Sequence, residues 1–155
     1  MRLSVDGYRA LAEFRYQIRK FLAASEEIAL SARLRPQQYV MLLMLRGLPA
    51  GKEPTVQVLA ERLRIRHNSA VELANRLSKR GLIRRSRSKE DSRKVFIHLT
   101  RNGAALIEKL VERRIVQLHS SQPELIRALN AVLSRTYNKG NKRKAGCEDL
   151  SSMRL

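Results

Sequence analysis

Acidic residues are scarce in this chain, and so are cysteine and the aromatics. There are 14 Asp and Glu against 32 Lys and Arg, a formal net charge of +18. That imbalance excludes an ordinary near-neutral enzyme surface and points to a polyanion, nucleic acid or an anionic membrane face. One cysteine, Cys147, excludes an internal disulfide and any zinc site built from several cysteines. Long hydrophobic runs are missing as well. The longest, Tyr39 to Leu45, is far short of the ~20 residues a membrane span needs. Asp6, Arg9 and Glu13 interrupt the N-terminal segment, which therefore lacks the apolar stretch of a secretory leader. Paired carboxylates, a nucleophile with its base, and a Gly-rich phosphate loop are all absent, so neither an enzyme nor a cofactor is expected. The expectation is a soluble, cytoplasmic protein that binds a polyanion and no membrane.

What is present suits one folded body. The 155 residues are 43% hydrophobic, too apolar for a disordered basic chain. A chain of this length buries roughly 70% of its unfolded surface. The positive excess is concentrated: residues 62–101 carry a net +10, whereas 1–61, 102–136 and 137–155 carry +3, +2 and +3. A membrane-binding chain would more often place its charge on one amphipathic helix or a terminal basic tract. Here the basic window also contains helix and strand patterns, which favours a folded nucleic-acid-binding surface.

The periodicities predict the elements. Tyr8, Leu11, Ile18, Phe21, Leu22 and Ile28 recur at helical spacing over 6–32. Pro36 opens a second helix that stops at Gly47. Thr55 caps a third, with Val56, Leu59, Ala60 and Leu63 as its stripe. After a tight turn a fourth spans about 68–80, with Ser69 and Glu72 spaced as a capping box and Gly81 as its C′ residue. The period then drops to 2: Leu82 to Arg85 starts one strand and Val95 to Leu99 forms another, with a charged loop over 86–94. Thr100 caps a fifth helix, His119 to Pro123 breaks it, and Ser121 with Glu124 starts a last one. Residues from about Asn138 show no periodicity. The fold class is thus mainly α with a small β-hairpin wing: a winged helix-turn-helix with N- and C-terminal dimerisation helices. Residues 1–137 form the domain, with dimerisation helices about 6–32 and 104–136 and a DNA-binding part about 36–100. Residues 138–155 are a basic tail expected to be disordered.

An α-helix fits the major groove of DNA, and a basic hairpin beside it can straddle phosphates. With Ala70, Leu73, Ala74 and Leu77 turned inward, the fourth helix presents Asn68, Ser69, Glu72, Arg76 and Lys79. Asn68 and Arg76 are of the types that read base edges. Glu72 has three roles open to it: cap, acceptor from a cytosine amine, or orienter of Arg76 one turn on. His67, just ahead, is a candidate phosphate or base contact. The hairpin adds Arg85, Arg87, Lys89, Arg93 and Lys94. Asp91, two residues before Arg93, is placed to hold that guanidinium in one orientation. The broad apolar stripes of the outer helices exceed what a bare winged helix can cover, so a homodimer is expected.

At this point the residues carry a resemblance. Leu59-Ala60-Glu61-Arg62-Leu63, Asn68 to Leu73, Leu77-Ser78-Lys79-Arg80-Gly81-Leu82-Ile83, and Asp91-Ser92-Arg93 followed by Leu99-Thr100-x-x-Gly103 resemble the MarR family of bacterial transcriptional regulators, in order over about 8–135. The resemblance implies a homodimer whose first and last helices intertwine. Each subunit would present one winged helix to half of a palindromic operator in double-stranded DNA, as a repressor or activator. It implies that Arg93 is the wing-tip arginine in the minor groove, steadied by Asp91. It also suggests a small aromatic or anionic effector, for which Phe14, Tyr16, Phe21 and Tyr39 are candidate lining residues; the same stripe reads equally as plain core. Some members sense oxidants through a cysteine near the N-terminus, and this chain has none there.

Two other readings compete. One is a winged-helix architectural or RNA-binding protein without sequence preference. The other is a metal or redox sensor using Cys147 or the histidines. His67, His98 and His119 are widely spaced and lack the partners of a metal motif, so no metal site is expected.

Overall fold

The computed structural model describes residues 4–88, 91 and 94–141. Its elements in chain order are α1 (Val5–Ser31), α2 (Pro36–Arg46), α3 (Val56–Leu63), α4 (His67–Lys79), β1 (Ile83–Arg87), β2 (Val95–Leu99) and α5 (Arg101–Asn141). They divide into two compact units. One comprises residues 24–116 and holds the winged helix; the other joins the chain up to residue 23 with the chain from residue 117.

In the 24–116 unit the apolar stripes read from the sequence become one core. Leu34, Met41, Leu42, Leu59, Leu77, Ile97 and Ile107 are fully buried there, with Ala70, Leu73 and Ala74 from α4. Local chemistry sets each boundary. Pro36 stands in the first turn of α2, and the Gln38 side chain accepts the Arg35 N–H at 2.9 Å. Thr55 caps α3 by accepting the Val58 N–H. The chain then reverses through Arg64 in the left-handed region, φ 56°. After α4, Gly81 at φ 66° closes a Schellman turn, in which Leu82 N–H donates to the Leu77 carbonyl and Gly81 N–H to that of Ser78. β1 and β2 pair antiparallel from Ile83↔Leu99 to Arg87↔Val95. Thr100 caps α5, accepting the Gly103 N–H at 3.0 Å.

The structure differs from the sequence expectation in four places. First, α4 starts at His67 with extended Arg66 as its cap residue, so Ser69 lies inside the helix and its capping box with Glu72 does not form. The left-handed turn at Arg64 brings the chain round earlier than the hydroxyl would. Second, β1 extends to Arg87, shortening the hairpin loop. Third, the fifth and sixth helices are one, with Pro123 inside and no break at 119–123. Proline removes one backbone donor and crowds the carbonyl four residues back, at about 3 kcal/mol, but its fixed φ is helical. The strong periodicity on both sides carries the helix through. Glu124 is not a capping group: it accepts from Lys20 Nζ at 3.0 Å. Fourth, α5 reaches Asn141, past the expected start of the tail at 138. Residues 142–155, with Cys147, lie outside the described residues.

In the other unit Ala10, Gln17 and Ala128 are buried. Lys20 also lies over the Tyr16 ring, 5.7 Å from its centroid. The Glu124 hydrogen bond and charge raise the Lys20 pKa above its ordinary value, and Lys20 reciprocally lowers that of Glu124. Among the described residues no helix is long and apolar enough to cross a membrane.

Candidate nucleic-acid interface

Helix α4 is amphipathic in the sense the sequence indicates. Ala70, Leu73, Ala74 and Leu77 are buried, while His67, Asn68, Ser69, Glu72, Arg76 and Lys79 line the opposite, largely exposed face. A core-anchored helix presenting only polar groups outward is a rigid platform for contacts. Of the three roles open to Glu72, the structure shows the third: its carboxylate accepts a hydrogen bond from the Arg76 guanidinium one turn on. The pair holds Arg76 against the helix, so less rotamer freedom remains to be lost on binding.

The hairpin stands beside α4. Arg85 and Arg87 are exposed on β1. Asp91 N–H donates to the Ser88 hydroxyl at 3.3 Å, and Lys94 N–H to the Asp91 carbonyl at 2.9 Å. Lys89 and Arg93, and hence the expected Asp91–Arg93 pairing, lie outside the described residues. Lys94 makes a 2.9 Å ion pair with Glu53, and Ile97 N–H donates to the Pro54 carbonyl at 2.7 Å. Thr55 forms a single antiparallel bridge to Phe96. The segment between α2 and α3 therefore anchors the root of the hairpin. Glu53 was not singled out, and Thr55 only as a helix cap, because their hairpin partners lie some forty residues away in the chain.

Two recesses flank α4. A cavity of about 540 Å³ lies on its His67–Val71 side, bounded by Val56 and Gln57 of α3 and by Arg85, Lys94 and Val95 of the hairpin. A groove of about 440 Å³ lies on its Ser69–Arg76 side, bounded by Arg35, Pro36 and Gln37. Arg35 and Gln37 are absent from the sequence-derived site; only the packing of α2 beside α4 brings them there. Arg80 is a further such residue: its guanidinium donates to the Arg33 carbonyl at 2.7 Å, tying the end of α4 to the α1–α2 turn.

The residues proposed for an effector are spread over both units. Phe14 is half-buried and Tyr16 and Phe21 are exposed in one. Tyr39 is buried in the core of the other, where desolvation pushes its hydroxyl pKa up, opposed by the nearby Arg114 charge. Neither recess beside α4 includes any of the four. Among the described residues no group of three or more His, Cys, Asp or Glu is placed to hold a metal ion.

Residues 34–94 match the model of the MarR family. The organic hydroperoxide resistance transcriptional regulator of Bacillus subtilis (strain 168) is 35% identical over 98 residues, which cover 62% of this chain and 65% of that protein, just under two thirds of its length. Among solved structures, AbsC, a MarR family transcriptional regulator from Streptomyces coelicolor, superposes with a TM-score of 0.70 at 18% identity, over 92% of this chain and 99% of that one. A MarR family protein from Bacillus stearothermophilus gives 0.63 at 23%, over 89% and 97%. A point mutant of S. aureus MepR, bound to an oligodeoxyribonucleotide, gives 0.56 at 21%, over 85% and 89%. These superpositions show a shared winged-helix fold.

Proposed function

We propose that the chain is a MarR-family transcriptional regulator, a sequence-specific DNA-binding protein and not an enzyme, acting on double-stranded DNA as a homodimer. The observation that carries this reading is the outward face of α4, where Glu72 holds Arg76 beside a hairpin bearing Arg85 and Arg87. Base readout belongs to Asn68, Ser69 and Arg76, and backbone grip to His67, Lys79, Arg85, Arg87, Lys89 and Arg93. Lys94 is committed first to Glu53. Two copies related by a two-fold axis would set their α4 helices about 34–36 Å apart, one turn of DNA. A small aromatic or anionic effector that releases DNA is part of the proposal.

The test is selection of bound sequences from a random duplex pool at near-physiological salt. The expected result is an enriched inverted repeat with half-sites one turn apart, preferred over bulk DNA by roughly 10³-fold or more. A pool without enrichment, and binding that fades as salt rises, would establish the non-specific architectural reading instead. With an operator in hand, titrating benzoate-type anions into the complex tests the effector: release at a saturable concentration supports it, and indifference removes that class.

A further inference from the structure

Helix α4 has two flanks, and they are unlike. At 3.6 residues per turn, His67 and Val71 project to one side of its exposed face, and Ser69 and Arg76 to the other. The first flank meets the hairpin through Arg85, Lys94 and Val95. The second meets the start of α2, through Arg35 and Gln37. A helix with its side chains is about 10–12 Å across and the major groove about 12 Å wide, so a helix lying in the groove has a phosphate strand on each side. Among the described residues, the hairpin cations that border α4, Arg85 and Lys94, lie on the first flank.

We propose that Arg35, with Gln37, is a second phosphate clamp, gripping the backbone strand across the major groove from the hairpin. The proposal rests on the DNA-binding reading above and adds a contact surface outside the helix-turn-helix and wing. Three observations support it. Arg35 and Gln37 are exposed and border a groove shared with the reading face of α4. The Arg35 backbone is fixed, because its N–H donates to the buried Gln38 side chain at 2.9 Å, so the guanidinium springs from a rigid point. The carboxylate in the groove, Glu72, is engaged by Arg76. Arg35 is then the cation left to set the sign of the recess. Its forked donors match a phosphate, and the Gln37 amide adds a neutral donor.

The test uses the full-length chain and a duplex selected with it. Arg35→Gln removes the charge from an exposed side chain. Its affinity should fall about tenfold per half-site, as for loss of one charged hydrogen bond in each copy. The loss should be even across sequences, and the slope of log K against log salt should shrink by about 0.9 per half-site, about 1.8 for a dimer on its paired site. Phosphate-ethylation interference should lose one position per half-site, on the strand facing away from the hairpin. Arg35→Lys should keep the slope. Arg46→Gln, exposed at the far end of α2 about 15 Å away, should change neither slope nor interference pattern. Unchanged binding by Arg35→Gln, or an equal effect from Arg46→Gln, would overturn the clamp while leaving the DNA-binding reading intact. A wild-type chain that selects and binds no duplex would overturn both.

Discussion

Gly103 shows what one residue does for this fold. A Cβ built on it would stand 1.9 Å from the Leu82 carbonyl oxygen and 2.9 Å from the carbonyl carbon. Both are backbone atoms and cannot swing aside. Thr100, three residues earlier, holds the same junction: its hydroxyl donates to the Gly81 carbonyl at 2.7 Å and accepts the Gly103 N–H. The Leu-Thr-x-x-Gly pattern that stands out in the sequence is therefore a packing device, seating the first turn of α5 on the turn that follows α4. Its helix-capping half was legible in the sequence, since a threonine before a helical stripe has a known local use. Its glycine half was not, because the contact is to Leu82, which lies beyond the whole hairpin in the chain. We expect Gly103→Ala to destabilise the chain by about 3 kcal/mol, read as a lowered chemical-denaturation midpoint. An unchanged midpoint would mean that the approach of α5 to Leu82 is looser than described.

At the scale of the element, α4 was the most legible part of the chain and its surroundings the least. Four inward apolar residues set its face, and the structure agrees at every one. The helix start was legible to within a residue, but the capping box suggested by the Ser69–Glu72 spacing lost to the left-handed turn at Arg64. The α5 break was misread likewise: proline was given more weight than the apolar stripes on either side of it. What no local rule contains is which elements flank α4, hence the unforeseen Arg35, Gln37 and Glu53. The Glu72–Arg76 pair gives a prediction that belongs to the helix alone. Arg76→Ala should lower discrimination at particular base pairs by about 1–3 kcal/mol. Glu72→Gln should lower it at the same base pairs by less, because the guanidinium survives but loses its guide. Competition among operators carrying single base changes measures both. Uniform losses would make Arg76 a phosphate contact rather than a reader of bases.

At the scale of the molecule, the charge and the apolar surface divide the labour. The basic excess lies in the winged-helix unit, over 62–101. The other unit exposes large apolar side chains: Tyr8, Leu11 and Leu22 of α1, and Ile126, Leu129 and Leu133 of α5. Single exposed leucines need no explanation, but this many along two helices exceed what an isolated soluble monomer ordinarily leaves wet. A second copy using the same faces would cover them and space two reading helices for an inverted repeat. Burial at such an interface is linked to concentration, so the melting temperature should rise with protein concentration. Wild-type chain should sediment at twice its 17.8 kDa mass. Ile126→Glu with Leu129→Glu places like charges in the interface and should yield monomers. Those monomers should still bind a single half-site weakly but lose the preference for a paired one. A wild-type chain that sediments as a monomer at tens of micromolar, with a melting temperature independent of concentration, would remove the dimer from the proposal. The α4 face would then have to find its sites one half at a time.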